Sequence, residues 1–164
     1  VVGVKVLWAP WRIRYIEAPK PRGCFICSAA KSDNDRENYV IYRGKYAFIL
    51  MNLYPYNPGH LMVATYRHIG ALEELTKDEL YDLMELTVFS IKLLRKALSP
   101  HGFNIGINLG SVAGAGIEDH VHIHIVPRWL GDINFMPVLA DVKVIPQALE
   151  ETYDKLVEAI KDIS

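Results

Sequence analysis

The sharpest alternation in the chain runs through HVHIHIVPR, residues 120–128, where polar and branched aliphatic side chains trade places at every step. A strand sends successive side chains to opposite faces, so His120, His122 and His124 fall on one face and Val121, Ile123 and Ile125 on the other. The aliphatic face belongs to a core. Further strand candidates are NYVIYRG (38–44), YAFILMN (46–52), HLMVATY (60–66) and FNIGINLG (103–110). LYPYNPG (53–59), with Pro55, Pro58 and Gly59, is a turn between two of them. Thr76 and Glu79 form a capping-box pattern at the start of the clearest helix. Leu80, Leu83, Met84, Ile91, Leu94 and Leu98 recur along it at helical spacing, and Pro100 with Gly102 stops the run. A second amphipathic helix closes the chain in PQALEETYDKLVEAIKDI (146–163). APKPRGCFICSAAKSDNDREN (18–38) is the most polar and turn-rich stretch. Strands on both sides of one long helix predict an α+β fold around an antiparallel sheet.

Composition narrows the class without naming a function. A chain of 164 residues fits one domain with a proper core. Its 51% hydrophobic and 23% charged residues are ordinary for a soluble globular protein. A formal net charge of -1 gives no sign of nucleic-acid or membrane binding. Apolar runs such as residues 47–51 are far too short to span a bilayer. VVGVKVLWAPWRIRY, at the start, lacks the basic region and long apolar run of a signal peptide. The two cysteines, Cys24 and Cys27, sit together in CFIC and cannot staple a secreted scaffold, so a cytoplasmic location is expected.

Three histidines in five positions are hard to explain by packing, because any polar residue serves on the wet side of a half-buried strand. Two chemical readings remain. Histidines at i and i+2 can both reach one Zn²⁺. Alternatively, an imidazole whose tautomer is fixed by one hydrogen bond can use its other nitrogen as a nucleophile at phosphorus. SVAGAGIED (111–119), with Gly110, Gly114 and Gly116, leads into the histidines and lets backbone N–H groups approach an anion. It lacks the Gly-Lys-Ser/Thr of a P-loop, yet a small-residue loop feeding a histidine strand favours phosphate chemistry. CFIC reads as a redox dithiol, half of a zinc site or two packed thiols, and no βαβ context supports the first.

HVHIHIV resembles the His-φ-His-φ-His-φ-φ signature of the histidine triad (HIT) superfamily of nucleotide hydrolases and transferases. YAFILMNLYPYNPGHLMV and GFNIGINLGSVAGAG are similar to that family's strand–turn–strand and phosphate-side loop. VPRWLGD resembles the segment after the triad in the fragile-histidine-triad branch. LWAPWRIRY and the C-terminal extension look most like bacterial diadenosine tetraphosphate phosphorylases. The resemblance implies a HIT-like α+β fold with an antiparallel sheet of about five strands, one long central helix and a C-terminal helix. Residues 1–164 would form a single HIT domain, with an arm over 1–23, a core over 24–129 and an extension over 130–164.

The resemblance also implies roles. His122 would attack the α-phosphorus of a diadenosine polyphosphate and carry a covalent nucleotidyl group that water or phosphate then removes. His124 would contact the phosphates and His60 would sit near them, although by itself His60 reads as a surface histidine after a Pro-Gly turn. Asn52 would hold the ribose, Leu53 the base (Met51, beside it, reads as core) and Asn108 the α-phosphate. Gly114, Ala115 and Gly116 would offer backbone N–H groups. Many family members carry Ser or Gln shortly before the triad; GAGIED (114–119) has neither, so backbone groups would take over. Cys24, Cys27, His68 and His120 match a structural zinc set, which would leave His122 free to attack. Neither an organic cofactor nor a catalytic metal is implied. A homodimer is, through the helix DELYDLMELTVFSIKLL (78–94), with Val88, Phe89 and Leu93 in excess of one buried stripe, or through a neighbouring strand edge. The rival functions are a nucleoside phosphoramidate hydrolase, an AMP or dinucleotide sensor without turnover, and a zinc hydrolase.

Overall fold

The computed structural model describes residues 23–114, 119–132 and 147–163. Residues 1–22 of the expected arm over 1–23, Ala115, Gly116, and residues 133–146 and 164 of the expected extension over 130–164 lie outside the described residues.

Five strands form one antiparallel sheet: β1 (Val40–Arg43), β2 (Ala47–Met51), β3 (Leu61–Thr65), β4 (Gly102–Ile107) and β5 (His122–Arg128). Their order is β1-β2-β3-β5-β4, so β4 is an edge. β2 and β3 are buried along their whole length, which is why AFILM and LMVAT read as unbroken apolar runs instead of alternating. One face is covered by two helices, the long one here called α2 (Lys77–Leu98) and the C-terminal one, α3 (Leu149–Ile160). Leu83, Leu86, Leu93 and Leu94 of α2 and Leu156 of α3 join Ile49, Met51, Leu61, Val63, Ile123 and Ile125 in the main core. Each fully buried aliphatic side chain there contributes roughly 1.5–3 kcal/mol of transfer free energy.

The other face is covered over β2 and β3 by a two-turn helix, α1 (Phe25–Lys31). Ile26 and Ala29 pack on Val40, Phe48, Leu50, Met62 and Ala64 in a second core. This helix is a departure from expectation, since CFICSAAK lies within the stretch read as turn-rich. Two buried residues suffice to dock it. Alternation along the paired strands puts His122, His124, Val126 and Arg128 of β5 beside Asn104 and Gly106 of β4 on this same face.

The capping box at the start of α2 is present in both directions: Glu79 N–H donates to Thr76 Oγ1 at 3.2 Å, and Thr76 N–H to the Glu79 carboxylate at 2.8 Å. The buried stripe of α2 matches the expected one at Leu83 and Leu94 but departs from it elsewhere. Leu80 is 43% and Met84 58% exposed, whereas Leu86 and Leu93 point inward. Apolar positions surround so much of this helix that periodicity alone cannot choose the face. Leu93 is therefore core, while Leu80, Tyr81, Met84 and Val88 remain exposed.

Candidate active site

The histidine strand differs from the simple alternating picture at its first member. β5 begins at His122, and His120 precedes it in a bend. Val121 N–H donates to the Ile69 carbonyl at 2.7 Å, tying this bend to the segment after β3. His120 and His122 are both buried, and burial pushes both imidazoles down from their ordinary pKa. His122 is neutral near pH 7. Its Nδ1–H donates to the His120 carbonyl oxygen at 2.8 Å, which leaves the lone pair on Nε2.

His124 is fixed by a relay. Tyr56 N–H donates to His60 Nδ1 at 3.1 Å, so in neutral His60 the proton sits on Nε2. That Nε2–H then donates to His124 Nδ1 at 3.0 Å, and His124 in turn carries its proton on Nε2. The His122 and His124 rings meet edge to face with centroids 4.7 Å apart. A lone pair on one Nε2 and a hydrogen on the neighbouring Nε2 is the pairing that a nucleophile and an anion-binding donor require. His60 is buried, so it stands behind His124 and is not the surface histidine that its Pro-Gly turn suggests. Tyr56 packs against it in a tilted arrangement, with ring centroids 4.8 Å apart.

A cleft of ≈ 500 Å³ opens beside His124. Tyr56 and Asn57 form one wall; Asn104, Gly106, Asn108 and Gly114 form another. Gly110 and Gly114 have φ of 78° and 85°, the left-handed region that glycine adopts without strain, and they bracket the short 3₁₀ turn Ser111–Ala113. Asn108 donates from Nδ2 to the Gly114 carbonyl at 3.4 Å, which ties the glycine loop to the end of β4. Asn52 and Leu53 do not line this cleft: Asn52 follows β2, on the far side of β3 from β5, and its Oδ1 accepts from Tyr54 N–H at 2.8 Å. Nothing in sequence periodicity pointed to Tyr56, Asn57, Asn104 or Arg128 as cleft residues. For Arg128 a signal existed, the opposite charge of Asp132 four residues on.

The four expected metal ligands converge. Cys24, Cys27, His68 and His120 place one donor atom each within 4.8 Å of the others. His120 Nδ1 lies 3.3 Å from Cys24 Sγ, 3.5 Å from Cys27 Sγ and 3.3 Å from His68 Nδ1. A zinc tetrahedron with ordinary bond lengths has edges of about 3.4 Å between two nitrogens and about 3.6 Å between nitrogen and sulfur. The donor set fits. His120 Nε2–H donates to the Thr65 carbonyl at 2.8 Å, and this bond leaves the Nδ1 lone pair for a metal. Thr65 acts through its main chain, so its side-chain identity carried no signal. One residue thus serves both centres: the ring of His120 belongs to the Cys/His cluster and its carbonyl orients His122.

The HIT domain model matches residues 34–129 of the chain. The AP-4-A phosphorylase of Mycobacterium tuberculosis is 44% identical over 154 residues, covering 89% of this chain and 79% of that protein. The asymmetrical bis(5'-nucleosyl)-tetraphosphatase of Schizosaccharomyces pombe is 38% identical over 95 residues, 58% of this chain and 52% of that one. Among solved structures, a Zn-bound histidine triad family protein from Mycobacterium smegmatis superposes with a TM-score of 0.69 at 22% identity, covering 86% of this chain and 95% of that one. The family model and the 44% identity over most of both chains agree, and the chain belongs to the HIT domain family.

Proposed function

We propose that the protein cleaves diadenosine polyphosphates at the α-phosphate, with inorganic phosphate as the final acceptor. The observation that carries this reading is the tautomer of His122. Its Nδ1–H is held by the His120 carbonyl, so the lone pair on Nε2 attacks phosphorus. The N–P bond forms as the bond from phosphorus to the bridging oxygen breaks, and the nucleoside polyphosphate departs with the bonding electron pair. Phosphate then attacks the nucleotidyl-histidine, the P–N bond breaks and His122 is regenerated. From diadenosine tetraphosphate the products are ATP and ADP. His124 donates from Nε2 to the phosphate oxygens as charge develops, and Ala115 and Gly116 supply N–H groups, since Gly114 spends its own on the Ser111 carbonyl at 2.9 Å. Asn108 contacts the α-phosphate, while Asn52 and Leu53 hold the retained nucleoside. His60 supports His124. The choice of phosphate over water follows the M. tuberculosis relative, which is named a phosphorylase.

Cys24, Cys27, His68 and His120 would hold a structural zinc, whose role is to tie α1 to His120 and so keep the His120 carbonyl where His122 needs it. Two thiolate ligands suit a reducing compartment, consistent with the cytoplasm. No helix among the described residues is long and apolar enough to cross a membrane. The exposed edge β4 and the exposed Leu80, Tyr81, Met84 and Val88 of α2 are the surfaces for a homodimer, which light scattering during gel filtration tests directly.

The deciding experiment is product analysis with diadenosine tetraphosphate, with and without inorganic phosphate, beside a His122→Ala control. ADP and ATP in the phosphate-containing tube alone are expected. AMP with ATP in the absence of phosphate replaces phosphorolysis by hydrolysis. No cleavage in either tube overturns the reading; release of AMP from an adenosine phosphoramidate would then identify a P–N hydrolase, and tight AMP binding without turnover a sensor.

A further inference from the structure

The cleft extends beyond His124, the one triad histidine among the described residues that line it. Past His124 it follows β5 to Val126 and Arg128, with Asn104 of β4 alongside. Arg128 is the one formally charged side chain among the described residues that line it, since His124 is neutral in the relay from His60. A polyphosphate chain brings several negative charges into this space, so the position of that single cation is informative.

Arg128 is anchored with unusual completeness. Its Nε and one Nη donate to the two oxygens of Asp132 at 2.6 and 2.9 Å, and its other Nη to Asn104 Oδ1 at 2.7 Å. Asp132 also accepts from Asn57 Nδ2 at 2.8 Å and from Trp129 N–H at 3.1 Å. The Arg128 fork and these two donors hold the Asp132 carboxyl well below the usual carboxylate range. Oδ2 of Asp132 accepts three of these bonds and Oδ1 one, so the carboxylate is held from several sides by the protein. A guanidinium has five N–H groups, and three are directed at these partners, which leaves two on the Nη atoms. The Asn104 amide, with its oxygen turned to Arg128, keeps Nδ2 as a pure donor. A fork fixed in this way recognises phosphate oxygens with little further loss of side-chain freedom.

The strand order says which part of the substrate reaches it. β3 and β2, which lead to the proposed ribose residue Asn52, lie on one side of β5, and β4 lies on the other. A nucleotide retained on the Asn52 side sends its departing phosphates toward β4, along the wall that carries Asn108, Gly106 and Asn104. His124 and Arg128 are four positions apart, about 13 Å of strand. An extended triphosphate and an arginine side chain together cover that span. We infer that Arg128 and Asn104 form a subsite for the terminal phosphates of the departing nucleoside polyphosphate, positioned by Asp132 and Asn57. The inference rests on the proposed cleavage at the α-phosphate and adds what selects long phosphate chains.

The test is equilibrium titration of AMP and ATP into protein carrying His122→Ala, which prevents turnover, with Arg128→Gln or Asn104→Ala added. Arg128→Gln is expected to weaken ATP about tenfold and AMP less than twofold; Asn104→Ala is expected to weaken ATP about threefold. Asn104→Ala leaves the Arg128–Asp132 pair in place, so it still answers if Arg128→Gln fails to fold. Parallel weakening of AMP and ATP, or unchanged affinity for both, overturns the subsite and makes the network a brace for the turn after β5. If His122→Ala protein binds neither nucleotide, the dinucleotide reading itself is overturned, a result distinct from the loss of the subsite alone.

Discussion

His122 donates its Nδ1–H to the main-chain oxygen of His120 at 2.8 Å, two residues away along the same chain. The tautomer of His122, the proposed nucleophile, is thereby set by backbone, which no substitution at position 120 removes outright. His122→Ala removes the attacking nitrogen and is expected to lower kcat by on the order of 10³-fold or more. It should also abolish the acid-labile nucleotidyl adduct that mass spectrometry of the quenched wild-type protein is expected to reveal. A variant that keeps the adduct would assign the nucleophile elsewhere.

His60 acts on His124 through a 3.0 Å hydrogen bond and is itself pinned by Tyr56 N–H. His60→Ala frees the His124 ring to take either tautomer. The expected result is a fall of at least about tenfold in kcat, within the range for loss of an oriented proton donor, with a smaller change in KM. His60→Gln, which offers an amide N–H to the same atom, should recover part of that loss. Equal activity of the alanine and glutamine variants would show that only packing matters at this position.

The Cys/His cluster carries a prediction about time course. Its ligands join α1 and the segment after β3 to the bend before β5. Cys27→Ser, or chelation, is expected to lower thermal stability by on the order of 3 kcal/mol, about 10 °C for a chain of this size. Activity should fade with unfolding instead of stopping at once. Immediate loss of turnover in protein that keeps its circular dichroism would mean that a metal participates in the reaction.

Gly59 holds φ at 77°, and a Cβ built there would lie 2.5 Å from Leu98 Cδ1 and 3.0 Å from Leu94 Cδ2. Gly59→Ala combines left-handed strain of about 1–2 kcal/mol with overpacking of about 1–3 kcal/mol. Urea unfolding should show a loss of at least about 2 kcal/mol. Because His60 follows directly, kcat should fall as well, and an unchanged denaturation midpoint would show that α2 yields at no cost.

The features legible in the sequence were those written in local periodicity. HVHIHIV, the runs of β2 and β3 and the Thr76–Glu79 capping pattern each announce themselves within a few residues, and each stands where expected except that His120 lies in the bend before β5. α1 was hidden because only Ile26 and Ala29 of it are buried, inside a polar stretch. The stripe of α2 was misphased because Leu80, Met84 and Val88 compete with Leu86 and Leu93, and only the sheet decides between them. The carbonyls of Thr65 and His120, which set two tautomers, have no side-chain signature at all. Arg128 and Asp132 were visible as a charge pair, but their meaning depends on Asn57 and Asn104, 75 and 24 residues distant in the chain from their respective partners.

Glu79 supplies a pH dependence separate from the histidines. The Arg67 guanidinium, donating to both carboxylate oxygens at 2.8 and 2.7 Å, holds its carboxyl down at about 2 from an ordinary 4.5. Its folded pKa is depressed, so the stabilisation is complete above the unfolded value near 4.5 and is lost as pH falls toward 2. Arg67 is half exposed, which limits the contribution to about 1–2 kcal/mol. Glu79→Gln should therefore cost about that much at pH 7, where wild type is fully ionised. The two proteins should converge between pH 4.5 and pH 2 as the wild-type carboxyl takes up its proton. Urea midpoints at pH 7, 4 and 2.5 measure the gap. A constant gap at all three would mean that the capping geometry at Thr76, and not the charge on Glu79, provides the stabilisation.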